Sequence, residues 1–193
     1  MKKNGLFLLM LVLLASCSRE ELDRTIFIPD EDDHNLPAYT EWGYNAFGAE
    51  YERDYFLVSD KIVPCKILFK DNQLQFSLSG TIRDSQEMTL SFIFPEQQML
   101  DYTDLLQLHN KEIDLTADGC TVKILRGRNE TVLHVFEGKL HFKRAQLLSV
   151  DDQVNRVILS GTFDLTFMQN DFPAFIYNGR FDLGITKSLF YVY

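Results

Sequence analysis

The sequence predicts an all-β domain: an antiparallel β-sandwich or barrel-like fold of roughly ten strands with at most one short helix. Three observations carry this. From Tyr44 onward apolar residues recur with period two, which sets one face of each segment on a core and the other in water. The apolar runs are short and punctuated, so that about ten strands fit into roughly 150 residues. Glycines fall at inward positions, among them Gly80, Gly161 and Gly179, where a strand can coil or bulge to close a sheet over its core.

The elements follow in chain order. Residues 45–51 and Cys65–Lys70 are the first strand candidates. In "LQFSLSGTI", Leu74, Phe76, Leu78, Gly80 and Ile82 alternate with Gln75, Ser77, Ser79 and Thr81. In "MTLSFIF", Met88, Leu90, Phe92 and Phe94 share a face. Residues 101–108 are the one helical candidate, with Leu105, Leu106 and Leu108 after polar starters. Strands are next expected at 121–125 and 131–136, with Glu137-Gly138 read as a hairpin turn. "VILSGTFDLTF" turns Val157, Leu159, Phe163, Leu165 and Phe167 inward, and "YNGRFDLGI" turns Tyr177, Phe181, Leu183 and Ile185 inward. Residues 189–192 are the last candidate. Gly161-x-Phe163-Asp164-Leu165 and Gly179-x-Phe181-Asp182-Leu183 repeat one pattern, with Gly138-x-Leu140 a looser third; the spacing is irregular, which excludes a solenoid. A hairpin loop at 168–174 would set Arg180 beside Thr162 and diagonal to Asp164, as a cross-strand ion pair.

Ahead of this domain the chain opens with Lys2-Lys3 and an apolar run from Leu6 to Ala15. That run is too short for a bilayer core of ~30 Å and has the layout of a secretory signal. Leu14-Ala15-Ser16-Cys17 resembles the lipobox of bacterial lipoproteins. The resemblance implies removal of residues 1–16 and an acylated Cys17 as first residue. Several acyl chains would hold the protein on a bilayer, where one alone anchors only marginally.

Residues 17–38 are then a lipidated cysteine and acidic tether, and 39–193 a single domain. The run Asp30-Glu31-Asp32-Asp33 lacks the ligand spacing and turn glycine of a calcium loop and reads as solvated linker. Ser18-Arg19-Glu20-Glu21 resembles the surface-export signals of Bacteroidota lipoproteins, which implies an outer-membrane protein facing the cell surface.

"NAFGAEYERDYF", "GKLHFKRA", "RVILSGTFDLTF" and "YNGRFDLGI" resemble a family of uncharacterised Bacteroidota lipoproteins with N-x-F-G-A, I-S-G-T-F and N-G-x-F strand motifs. The resemblance implies a β-sandwich-like domain over residues 44–186 and carries no catalytic residues. Where that family has an N-G dipeptide after the opening strand, this chain has Glu50 to Asp54.

The formal charge is −9, from 19 Lys and Arg against 28 Asp and Glu, and no basic run occurs. Phosphate backbones need clustered Lys and Arg, so nucleic acid is excluded as a partner. With Cys17 lipidated, Cys65 and Cys120 remain as a candidate disulfide or as two buried thiols.

The richest stretch for chemistry is "YTEWGYNAFGAEYERDYF". Trp42, Tyr44 and Tyr51 beside Glu41 could stack on sugar rings while carboxylates take hydroxyls. The alternative is that Phe47, Tyr51 and Tyr55 fill the core and Trp42 seals its edge. Glu41, Glu50, Glu52 and Asp54 also offer a glycosidase pair, whose separation a sequence does not give. Across the expected 137–138 turn, His134 and His141 would face each other, yet zinc needs a third or fourth ligand and no telling spacing supplies one. No G-x-S-x-G, H-E-x-x-H or P-loop motif occurs, and no catalytic residue, metal or cofactor is assigned.

The expectation is a non-enzymatic envelope lipoprotein that binds a glycan or an envelope protein, with the bilayer as partner through Cys17. An adhesin-like assembly subunit is the alternative and a hydrolase the third reading.

Overall fold

The computed structural model describes residues 24–60, 63–83, 85–96, 98–150 and 153–193. The expected signal segment, Cys17, Glu20 and Glu21 lie outside the described residues.

The described residues form eleven strands: β1 (Ala46–Tyr51), β2 (Asp54–Leu57), β3 (Cys65–Lys70), β4 (Gln73–Ile82), β5 (Gln86–Pro95), β6 (Lys111–Asp114), β7 (Thr121–Arg126), β8 (Asn129–Val150), β9 (Gln153–Gln169), β10 (Phe172–Ile185) and β11 (Phe190–Val192). Eight of them pair in the order β4-β2-β1-β10-β9-β8-β7-β5, and the β4–β5 pairing closes the ring into an antiparallel barrel. β3 adds to β4 outside the ring and β11 adds to β3 in parallel, while β6 pairs with β8. The expected all-β class is thus realised as a closed barrel with two short side additions.

The interior is apolar and dominated by phenylalanine. Phe47, Phe56, Phe76, Phe92, Phe142, Phe163, Phe167 and Phe181 are all buried, as are the other apolar inward positions of "LQFSLSGTI", "MTLSFIF" and "VILSGTFDLTF". An eight-stranded barrel is just wide enough for such side chains to fill. Apolar faces inside and Ser, Thr and charged residues outside reverse the arrangement a bilayer-spanning barrel requires.

The inward glycines work by close approach. A Cβ on Gly161 would come within 2.1 Å of the His141 carbonyl oxygen and 2.6 Å of Phe181 Cζ. On Gly80 it would meet the Leu57 carbonyl oxygen at 2.0 Å and Phe47 Cζ at 2.7 Å. In both places a neighbouring strand presses against the glycine and a phenylalanine ring lies over it, a device that bends a sheet while keeping its surface covered.

The turns follow backbone demands. Asp71-Asn72 between β3 and β4, and Asn170-Asp171 between β9 and β10, have positive φ at both positions (52° and 58°, 50° and 66°). That is the two-residue hairpin geometry that Asn and Asp tolerate best. The β1–β2 hairpin closes through Glu52-Arg53 with Glu52 at φ 56°.

The helical candidate is a 3-10 helix, Tyr102–Leu108, which buries Leu105 and Leu108 against the core. It follows β5 and packs on β8 and β9. His109 just beyond it accepts a hydrogen bond from the Ala145 amide through Nδ1 at 3.2 Å.

Five expectations are corrected. Glu137-Gly138 is no turn: β8 is one strand of 22 residues, and the register shift between Val135 and Glu137 is absorbed as a bulge. Gly138 is there because a Cβ would sit 2.8 Å from Leu165 Cβ and 2.9 Å from the Asp164 carbonyl on the adjacent β9. His134 therefore faces Met168 and His141 faces Thr162, far apart along one strand.

Tyr177 points outward, not inward, because the register shifts between Ile176 and Gly179, with Asn178 at φ 52°. Arg180 does face Thr162, but its guanidinium pairs with Asp30 at 2.6 Å. Asp164 instead accepts the Asn178 amide at 2.8 Å. Tyr55 is half-exposed and donates its hydroxyl to Asp33 rather than filling the core.

The fifth concerns the expected free tether, residues 17–38, of which those from 24 onward are described. These lie on the barrel: Leu36 is fully buried, a Pro29–Pro37 bridge folds the segment back on itself, and the Ile26 amide donates to Tyr44. Burial alone would raise the Asp30 carboxyl. The amides of Asp32 and Asp33 and the Arg180 guanidinium outweigh it and hold the group below its ordinary value.

Candidate functional site

The four hairpin turns β1–β2, β4–β5, β7–β8 and β9–β10 all fall at one end of the barrel. The other end receives the 3-10 helix, the β8–β9 turn and the segment that leads into β1. The turn end is open and holds a cavity of about 670 Å³.

The cavity arises from a change of side-chain chemistry along the inward face of each strand. On β1 the alternation that buries Phe47 and Ala49 ends on Tyr51. On β5, Met88 and Leu90 are preceded by Gln86. On β7, Val122 and Ile124 are followed by Arg126. On β8, Leu133 is preceded by Thr131 and Asn129, and on β9, Phe167 is followed by Gln169. At the barrel waist these positions are filled by phenylalanine and leucine. At the rim they turn to amides, a hydroxyl, a phenol and a guanidinium, all lining the cavity.

Arg126 and Tyr51 define its floor. The Arg126 guanidinium lies over the Tyr51 ring, 5.0 Å from the centroid, and the Tyr51 hydroxyl donates to Gln169 Oε1 at 2.7 Å. The attraction between the cation and the ring face helps to hold the guanidinium in place. Among the described residues, the buried Arg126 Nε has no hydrogen-bond partner, and no salt bridge reaches this side chain. Sequence reasoning passed over Arg126; the signal was a cation continuing the inward parity of Val122 and Ile124.

The remaining expected binding residues sit elsewhere. Trp42, Glu41 and Tyr44 belong to a strap over residues 39–45, at the start of β1, whereas Tyr51 ends that strand at the open mouth. The strap is clamped by Asp182, which is 2% exposed. Its carboxyl oxygens accept from the amides of Trp42 (3.0 Å), Gly43 (2.7 Å) and Tyr44 (3.3 Å) and from the hydroxyls of Thr40 (2.5 Å) and Ser160 (3.0 Å).

Beside it, Asn45 Oδ1 accepts the Gly184 amide at 2.9 Å. The Trp42 side chain is 69% exposed, so it does not seal the core edge. Glu41 accepts from the Tyr39 hydroxyl at 2.9 Å and lies 3.8 Å from Arg144 Nε. Burial, together with this bond to Glu41, pushes the Tyr39 hydroxyl well above the usual phenol range. Tyr44 is half-buried. Glu50 accepts from the Asn178 side chain at 2.6 Å, and Asp54 pairs with Arg83 at 2.8 Å.

Cys65 and Cys120 are both free thiols. Cys65 is on β3 and Cys120 precedes β7, with β4 and β5 between them. At ~4.8 Å per strand step they lie beyond the ~7 Å Cα limit of a disulfide. Burial raises the Cys65 thiol strongly, which keeps it protonated and unreactive. With folded protein, a maleimide reagent is expected to modify Cys120 and spare Cys65, and to modify both in urea. Rapid labelling of Cys65 in the native state would contradict its placement.

Among the described residues, no group of three His, Cys, Asp or Glu is arranged to hold a metal ion, and no helix is long and apolar enough to cross a membrane. No family model, curated protein or solved structure matches this chain.

Proposed function

We propose that this protein is a lipoprotein of the bacterial envelope, anchored by acylated Cys17 and displayed at the outer-membrane surface, that binds a small polar ligand in the open end of its barrel. The observation that carries the reading is the cavity itself. Its volume of about 670 Å³ falls within the range of small-molecule pockets, and barrel mouths are a recurrent place for them. Its polar groups converge from five strands of a rigid wall, which suits recognition.

The path of the chain supports the orientation. Thr25 Oγ1 reaches the Asn45 carbonyl at 3.4 Å, so the first described residues lie at the end of the barrel away from the cavity. The few residues between Cys17 and Arg24 span at most ~25 Å. A tether that short holds the strap end toward the bilayer and leaves the mouth facing outward.

A second reading rests on Trp42. Its backbone is fixed by Asp182 while its indole stands in solvent, an arrangement suited to stacking on a sugar ring. Ligand-observed NMR against a panel of neutral and charged oligosaccharides and polar metabolites separates the two. Binders are expected to be lost in Thr131→Trp, which fills the mouth from an exposed position, and kept in Trp42→Ala. The reverse pattern would move the site to the strap, and binders indifferent to both changes would refute both. In cells, palmitate labelling is expected to disappear in Cys17→Ala, and labelling that survives would remove the anchor.

A further inference from the structure

Within the mouth one group stands apart from the rest. The amides and the hydroxyl of Gln86, Asn129, Thr131 and Asn170 reach solvent, where water satisfies them. Arg126 Nε is buried and, among the described residues, meets no acceptor. A buried donor of a charged group left unpaired is costly, because it gives up its hydration without a compensating bond. The fold nevertheless holds it there, against Tyr51, which Gln169 in turn fixes through its hydroxyl.

We propose that Arg126 is an oxyanion receptor and that the ligand of this mouth is a small organic carboxylate carrying several hydroxyl groups, of the sugar-acid type. This rests on the mouth being the binding site. The two terminal Nη groups of a guanidinium form an end-on fork that matches the two oxygens of a carboxylate, and among the described residues no acidic side chain pairs with this one. The Tyr51 ring face, 5.0 Å from the guanidinium carbon, covers one side of the group. Around it, the side chains of Gln86, Asn129, Thr131 and Asn170 offer both donors and acceptors, which is what hydroxyl groups need.

The charge balance argues for a monoanion. Glu87 lines the same cavity without a salt bridge to Arg126 among the described residues, and the chain as a whole carries −9. With Glu87 cancelling the local cation and the chain as a whole negative, the surrounding field opposes an anion in proportion to its charge, so a monoanion held by the Arg126 N–H groups is opposed less than a phosphate dianion.

Isothermal titration of the full-length protein with D-glucuronate, D-galacturonate and D-gluconate, against D-glucose and inorganic phosphate, tests this. At least one of the acids is expected to bind at least tenfold more tightly than glucose. Arg126→Gln should weaken that acid tenfold or more, as loss of a charge-assisted fork does. Arg126→Lys should recover part of it, with both variants melting as cooperatively as the parent. Equal binding of glucose and the acids, an Arg126→Gln variant of unchanged affinity, or phosphate binding more tightly than every acid would overturn the carboxylate assignment. So would failure of all three acids. In any of these cases, panel ligands still lost in Thr131→Trp would leave the mouth standing as a site for another chemistry; no such ligands would refute both.

Discussion

Asp182→Ala is expected to cost about 3 kcal/mol of global stability and to release the strap over residues 39–45. Five donors converge on this carboxylate, three of them backbone amides that cannot turn elsewhere. Hydrogen bonds to a charged group contribute about 1.5–3 kcal/mol each, yet their sum is not the expected loss. Once the strap lifts, its amides are rehydrated, so the cost is limited to the free energy that holds the strap down.

Asp182→Asn keeps one acceptor oxygen and adds a donor among donors, so roughly half of the loss should persist. Urea denaturation gives the global figure, and limited proteolysis reads the strap, with new cleavage expected between Thr25 and Tyr44. A variant as stable and as protease-resistant as the parent would mean that Asp182 does not hold the strap. The mouth lies at the other end of β1, so ligand binding there should survive the change, whereas the Trp42 platform should not.

Phe142→Ala is expected to cost about 4 kcal/mol, within the ~3–5 range for deleting a buried phenylalanine. Phe142 on β8 is fully buried, with ring centroids 5.3 Å from Phe76 on β4, 5.7 Å from Phe181 on β10 and 6.0 Å from Phe94 on β5. It therefore joins strands from opposite sides of the ring. Removing it leaves a void that the closed sheet cannot collapse to fill, because neighbouring strands are fixed by their ladders. Phe142→Leu, which keeps most of the volume, should lose less than half as much. Since domains of this size hold ~5–15 kcal/mol in total, the alanine variant should still fold but melt several degrees lower. A loss below 1.5 kcal/mol would show that these rings do not share one core.

The parts of the fold legible in the sequence are those governed by local alternation. "LQFSLSGTI" and "MTLSFIF" are paired residue by residue, Leu74 with Phe94 through Ile82 with Gln86, as their matching parity requires. Where a bulge inserts a residue, parity fails. Tyr177 was read inward for that reason, and the bulge at Val135 and Glu137 hid the continuity of β8. Gly138 misled because glycine serves two purposes, turning a chain and admitting a neighbour, and only the position of β9 shows which applies.

The candidate site divides the same way. Trp42, Glu41, Tyr44 and Tyr51 stood out as one aromatic and acidic cluster in the chain, but β1 carries Tyr51 to the opposite end of the barrel from the other three. Arg126 was unremarkable in sequence, since a cation after an apolar strand is usually a solvated turn residue.

By itself the sequence determined the all-β class, the inward faces of most strands and the helical segment within residues 101–108. Each depends on residues near one another in the chain, through period, propensity or motif. Only the tertiary structure decided that the sheet closes, that residues 25–44 dock on it, and that Tyr51, Gln86, Arg126 and Gln169 meet at one rim. Closure joins β1 to β10 and β2 to β4 across stretches of chain that hold other elements, and no local pattern states which strand ends will share a mouth.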